Sequence, residues 1–501
     1  MLIKPKLGGV FGWGMAVALF CGTSQAGDKP ETSQVITWEA PKEIEASPLY
    51  KVTVNGKPVF VYPCKVGTIA DEKGNLRPDR HQITQAAPAA FCYFDFTGKV
   101  DVAITVLGGS PTHLPLKTAT VRPLRHGITP VVAESTMRFE LDRPCKLAIE
   151  PNGSILAPLF FFASAPEATR PSSNDPNVMY FGPGVHELGL FDQVKSNMTI
   201  YIAGGAVVYG HIWGSHVANV KVLGRGILDG SRSNGSRLMR WFKSSDITVD
   251  GIILLDSPSW GVKVSHSDRV TLRNLKINNY RGACDGIDVC SSEDVTVDDC
   301  FLRTHDDTLN VKGLTDVSWG YPADENGRWS PRGVRKAARH IRFLNCVVWN
   351  DRAHALMIGP ETRALEIRDV LYRNIDIIHS LSVHTLAIFS GDAAPISDIR
   401  YEDIRIEDPR CFDLFGIRVH PTYVTADSTF GPVSNVVYRN IQVTTPTPVY
   451  SMFCADSNTI SDVTFENLRI NGALMTNAAA AKVLMRGDIK NVRFVTGAAA
   501  P

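Results

Sequence analysis

An eight-residue pattern recurs through the C-terminal two-thirds of the chain. Four places alternate apolar and variable residues; Asn, Asp or Gly follows at the fifth, and usually an apolar residue after that. It reads ITVDGIIL from 247, VTLRNLKI from 270, VTVDDCFL from 295, IRFLNCVV from 341, VLYRNIDI from 370, IRYEDIRI from 399, VVYRNIQV from 436 and VTFENLRI from 463. A looser copy, VKVLGRGIL, starts at 220. Most copies start 23–29 residues apart, with wider gaps of 46 and 37. Two to three short strands per period, with no helical periodicity, describe a right-handed parallel β-helix. Each unit is too small to bury its apolar face alone, so coils stack about 4.8 Å apart and share one core.

The N-terminal third has a different rhythm. Short alternating runs at Tyr50–Val54, Val59–Tyr62, Ala90–Phe96, Val100–Val106, Met137–Leu141 and Ile155–Ala163 are separated by turn residues. Asn55-Gly56 between the first two is a type I′ hairpin signal. The expected architecture is all-β, a β-sandwich followed by the solenoid. Residues 1–26 read as a secretory signal: Lys4 and Lys6, an apolar stretch from Val10 to Phe20, and Ser24-Gln25-Ala26 for cleavage. The division expected is signal 1–26, sandwich 27–165, a Pro/Ser-rich linker 166–176 and β-helix 177–501. The mature chain is then periplasmic or extracellular, with no integral membrane span. Lys plus Arg (52) balance Asp plus Glu (51), so nothing points to a nucleic-acid partner. Of ten cysteines nine follow the signal; none stands at CxxC spacing, and Cys64–Cys92 is an open disulfide possibility. Cys300 and Cys346, at equivalent repeat places, read as small buried apolar groups. No cofactor is called for.

A second column of strands accompanies the repeats: GVKV, GIDV, TLNV, ALMI, LAIF and GIRV. Aligning their apolar residues stacks Trp260, Asp285, Asp307, His354, His384 and Phe415 in one line. Lys263, Asp288, Asn310, Met357, Ala387 and Arg418 form the next. Asp306 stands beside Asp307. Carboxylates on neighbouring coils repel, so at least one has a raised pKa. An acid and a base spread over two coils suit inverting glycoside hydrolysis, which needs about 6.5–9.5 Å between them. The expected substrate is a carbohydrate polymer or oligosaccharide. Trp260, with Trp319 and Trp329 in an insertion within 313–336, offers flat faces to sugar rings. Asp288, Lys312, Glu361, His384 and Arg418 are further candidate substrate contacts. The oligomeric state is left open.

DSPSW (256–260), CDGID (284–288), HDD (305–307) and AHALMIG (353–359) resemble, in order and spacing, the successive motifs of the polygalacturonase family, glycoside hydrolase family 28. A sandwich ahead of a β-helix also resembles the dextranase and isopullulanase family of the same clan. The resemblance implies an inverting hydrolase. Asp306 matches the general acid, Asp285 and Asp307 the pair that holds and deprotonates water, and His354 the supporting histidine. The chain departs from the pattern at Ala283, Ala353 and Ala355. It departs most where the family's Arg and Lys bind a substrate carboxylate: here stands LAIFS (386–390), with Ala387 and Phe389. A similar GIRVH (416–420) comes one coil later. The expected substrate is therefore not plain polygalacturonate. Two alternatives remain: a calcium-dependent β-helix polysaccharide lyase, recognised by unsaturated products, and a non-catalytic carbohydrate-binding solenoid, recognised by binding without turnover.

Overall fold

The computed structural model describes residues 33–67, 86–108, 113–232, 237–317 and 333–496. Trp319, Trp329 and the signal segment lie outside the described residues.

The N-terminal strands form two sheets. One contains Gln34–Ile36, Val61–Gly67, Ala86–Thr97, Ala119–Arg122, Cys145–Pro151 and Leu159–Ser164. The other contains Tyr50–Val54, Lys57–Val59, Val100–Val106, Val131–Ala133 and Thr136–Leu141. Strict alternation in Thr136–Leu141 turns Met137, Phe139 and Leu141 inward. They meet Phe94, Leu147, Leu159 and Phe161 of the other sheet in one core. Asn55 and Gly56 take φ of 48° and 74°, as a type I′ turn requires.

Leu159–Ser164 is buried on both faces, which explains its unbroken apolar run. Phe161 points into the sandwich, while Phe160 and Phe162 pack on Phe301 and Trp349 of the solenoid. Sandwich and solenoid thus share a buried apolar layer. Charged groups cross it: Arg225 contacts Asp95 at 3.0 Å, and His379 sits between Glu150 and Asp408 at 2.5 and 2.8 Å.

From Val178 to Val495 the strands belong to one sheet, pairing in parallel with equivalent strands one coil away except for the short antiparallel pair Arg469–Ile470 and Ala473–Leu474. The fifth place of every repeat copy from 247 onward has positive φ: Gly251, Asn274, Asp299, Asn345, Asn374, Asp403, Asn440 and Asn467. A left-handed corner there admits Gly without penalty and Asn or Asp at small cost. The amides also stack: Asn374 donates to Asn345 at 2.7 Å and Asn440 to Asp403 at 2.9 Å. Inside, third-place rings stack coil on coil, with centroids 4.7 Å apart for Phe343–Tyr372, 4.9 Å for Tyr372–Tyr401 and 5.0 Å for Tyr401–Tyr438.

The site column runs through Val262–Ser265, Ile287–Cys290, Leu309–Gly313, His354–Thr362, His384–Ser390 and Asp413–Val419. Its register is the expected one as far as His384: Val262 opposes Ile287, Ile287 opposes Leu309, Leu309 opposes Leu356, and His354 opposes His384. The last step is displaced by two residues. His384 opposes Asp413, Leu386 opposes Phe415, and Phe389, not Ala387, opposes Arg418. A two-residue slip preserves the inward face, so apolar alternation alone cannot detect it. Cys300 and Cys346 are fully buried in the core, and all nine described cysteines are free thiols, Cys64 and Cys92 included.

Candidate active site

The Asp306–Asp307 turn is held from below. Thr304 Oγ1 donates to the Asp306 carbonyl at 2.9 Å, and Asn350 Nδ2 donates to it at 2.6 Å and to Thr308 Oγ1 at 2.9 Å. Beneath, Arg303 pairs with Asp351 at 2.9 Å, lies 3.9 Å from the Trp349 ring centroid, and reaches the Gly67 carbonyl of the sandwich at 3.2 Å. A side chain at position 67 would meet His305 Cδ2 at 2.9 Å. The sandwich therefore backs the turn that presents the acids.

Lys312 is the centre of the cluster. Its Nζ lies 3.2 Å from Asp307, 3.3 Å from Glu361, 3.6 Å from Asp285 and 4.0 Å from Asp288. Burial works against its charge, but Glu361, Asp307, Asp285 and Asp288 outweigh it and hold its pKa well above the ordinary ammonium value. The carboxyls around it differ. Burial, then the charge of Asp307, pushes Asp306 up. Burial also pushes Asp307 up, but Lys312 and His354 outweigh it and bring it down to about 2. Burial, then Asp288, raises Asp285 well above the carboxylate range, and burial lifts Asp288 to about 6. Asp285 and Asp288 influence each other's titration, so the proton they hold belongs to the pair. The site thus holds a protonated carboxyl beside a carboxylate, the combination general acid–base catalysis needs.

A chain of contacts leaves Asp307 on the other side. His354 Nδ1 lies 2.5 Å from Asp307 Oδ1, and His354 Nε2 lies 3.1 Å from His384 Nδ1. His384 Nε2 lies 3.1 Å from Asp413 Oδ2, which also accepts from Arg418 Nη2 at 2.9 Å. Burial, the neighbouring histidine and Arg418 bring His384 down to about 4, so it is neutral at pH 7.

The structure brings Asp285, Asp288, Asp307 and Glu361 together around the Lys312 ammonium, with Asp306 next to Asp307. Several expected contacts take a different place. Trp260 is only 5% exposed, and Lys312, Lys263 and Arg237 stand 4.9, 5.0 and 5.2 Å from its ring centroid. It is a floor residue under cations, not an open sugar platform. Asp288 is fully buried and acts through Asp285 and Asn310. Lys312 is occupied by acids. Arg418 is spent on Asp413, with its guanidinium 5.2 Å from the Phe389 ring. Met357, Ala387 and Phe389 make a small apolar cluster on the flank where the resemblance led one to look for cations.

Two residues escaped sequence reasoning. Asp413 was hidden by the register slip. Tyr423 stands on a surface turn and is 88% exposed, yet its phenol feels the charges of Glu361, Lys312, Asp307 and Asp306. The turn is firmly held: Val424 is buried, Thr425 Oγ1 donates to the Gly391 carbonyl at 2.6 Å, and Asp392 accepts from the Ala426 and Asp427 amides at 2.8 and 3.0 Å. A fixed, exposed ring offers a flat apolar face to a ligand. Its only sequence signal is Pro421-Thr422-Tyr423, indistinguishable from any loop.

The fold and site define a parallel β-helix with a buried cluster of carboxyls on one face. The chain belongs to glycosyl hydrolases family 28, whose sequence pattern matches residues 195–486. It is 22% identical to the probable endopolygalacturonase D of Neosartorya fischeri, over 49% of this chain and 51% of that protein. It is 24% identical to the probable rhamnogalacturonase A of Aspergillus oryzae, over 48% and 47%. The chain thus spans about half the length of these relatives, and less of others. Among solved structures, Dex49A from Penicillium minioluteum superimposes over 91% of this chain and 98% of its own, with a TM-score of 0.60 and 15% identity. That likeness extends the shared fold to the N-terminal sandwich.

Proposed function

We propose that this family 28 enzyme hydrolyses O-glycosidic bonds of a polysaccharide or oligosaccharide with inversion, using Asp306 as general acid. The observation that carries the reading is the split around Lys312: Asp306 is held up and Asp307 down to about 2. Asp306 protonates the leaving oxygen. Asp307 stays ionised and takes the proton of the attacking water. Asp285, sharing a proton with Asp288, orients that water. Lys312 and His354 keep Asp307 charged. A lyase would need a basic residue able to lose its proton at the reacting carbon; Lys312, the cation in contact with Asp307, has a raised pKa, which disfavours that role.

The substrate we propose differs from plain polygalacturonate. The apolar Met357–Ala387–Phe389 flank and the neutralised Arg418 offer no free cation at the positions where the resemblance places the carboxylate clamp. We propose also that residues 1–26 direct export, so that the enzyme acts outside the cytoplasm, and that 27–165 and 177–501 are its two domains, joined by 166–176. The test is reducing-end release from plant, algal and bacterial polysaccharides, wild type beside Asp306→Asn, with product anomers followed by NMR. Activity with inverted anomers, reduced about 10²–10⁴-fold in the variant, supports the reading. Unsaturated products, retained anomers or an active variant refute it.

A further inference from the structure

On the flank opposite the apolar cluster the site column changes sign. Trp213 opposes Arg240, Arg240 opposes Lys263, and Lys263 opposes Asp288. Arg237 joins them from the segment just before Met239–Phe242. Its guanidinium lies 5.2 Å from the Trp260 centroid, and Lys263 Nζ lies 5.0 Å from the same ring. Arg240 lies 5.3 Å from the Trp213 ring. Cations are thus arranged around two indoles next to the catalytic acids.

Two of these cations, Arg237 and Lys263, are poorly compensated by the protein. Among the described residues, neither Arg237 nor Lys263 has a carboxylate within ion-pair distance, and Arg237 Nε is buried without a hydrogen-bond partner. Lys263 is 5% exposed. Burial, opposed by nearby Cys290 and reinforced by Arg237, brings it down to about 8. A buried cation without its own carboxylate is costly unless a ligand supplies the charge. The other charges that face Lys263 are Asp288, which is engaged with Asp285 and Asn310, and Arg240. The backbone is already set: the Arg237 carbonyl accepts from His211 Nδ1 at 2.8 Å and Trp213 Nε1 at 2.9 Å. A preorganised cluster loses little freedom on binding.

We infer that Arg237 and Lys263, with Arg240 one coil beyond Lys263, form an anion-binding subsite that begins one coil before Asp285 and Asp288 and takes a carboxylate- or sulfate-bearing sugar unit of the substrate. This rests on the hydrolase reading and narrows its substrate. With an apolar subsite on the far side of the acids and a cationic one on the near side, the enzyme selects a bond between an acidic and a neutral sugar. A chain of identical uronates would fit one flank only. Guanidinium and ammonium groups bind both carboxylates and sulfate esters, so the two sources are separated by experiment.

The experiment uses the full chain carrying Asp306→Asn, which leaves the cluster untouched. It is titrated calorimetrically with disaccharides bearing galacturonate, glucuronate or a sulfate ester, and with their uncharged counterparts. The expected result is a preference of at least about tenfold for a charged disaccharide. Added salt weakens that preference. Lys263→Met and Arg237→Gln, each checked for native circular dichroism, abolish it. Uronate and sulfate arms show which anion the site takes. Equal affinity for charged and uncharged disaccharides overturns the inference, and that comparison needs no cluster variant to fold. Unchanged preference in both variants also overturns it. Turnover by the wild type is measured separately: its absence, with the anion preference intact, defeats the hydrolase reading and leaves the subsite standing.

Discussion

Replacing Lys312 by Met removes the one ammonium that four buried carboxyls share. Lys312 Nζ is 3.2 Å from Asp307, 3.3 Å from Glu361, 3.6 Å from Asp285 and 4.0 Å from Asp288, and the residue is only 3% exposed. Methionine fills nearly the same volume, so packing is not the variable. Leaving buried charges without their partner costs about 3–5 kcal/mol. The pH dependence follows from the individual groups. Asp307 is depressed from 3.8 to about 2. That shift contributes about 2–3 kcal/mol of stability above the unfolded value, lost as pH falls towards 2. Asp288 has the opposite sign. Raised from 3.8 to about 6, it costs about 3 kcal/mol above pH 6, and the cost vanishes as pH falls towards 4. Without Lys312 the Asp307 contribution shrinks and the penalties on Asp285 and Asp288 grow. Protonation is the only relief. The destabilisation of Lys312→Met is therefore greatest at pH 7–8 and shrinks towards pH 4. Thermal unfolding by circular dichroism of both proteins across that range measures it. A deficit equal at every pH, or none at pH 7, would refute the assignment of Lys312 as the counter-ion of the cluster. The alkaline limb of any residual activity also moves up, because Lys312 normally lowers Asp306.

Two further substitutions test the surroundings of the acids. His384→Asn or Asp413→Asn lowers kcat about tenfold or more with little change in KM, since the pair acts on Asp307 only through His354; the ¹⁵N shifts of His354 in each variant report whether its ring senses the change, and unchanged shifts would count against the relay. Tyr423→Ala raises KM by about 1–2 kcal/mol equivalent while Tyr423→Phe does not, because the ring and not the hydroxyl carries the stacking; steady-state kinetics with oligosaccharides decide it, and equal effects of both variants would point to the hydroxyl instead.

The β-helix was legible because its determinants are local and repeated. The eight-residue pattern carries its own reason: alternation fills the core, and Asn, Asp or Gly marks each left-handed corner, from Gly251 to Asn467. The acids were legible for a related reason. Asp285, Asp307 and His354 sit at one place in successive strands, and coil stacking converts that place into a column. What the pattern could not carry is anything set by contacts outside it. The two-residue slip that puts His384 on Asp413 preserves every inward side chain, so it is silent in the sequence. Tyr423 comes to the cleft on a loop anchored by Asp392, with no period to announce it. The sandwich behind His305 and the cations around Trp260 depend on how separate segments meet. Short-range periodicity fixes a solenoid and its faces; the charge state of the acids is a many-body property of burial and neighbours, and only the folded chain assembles those neighbours.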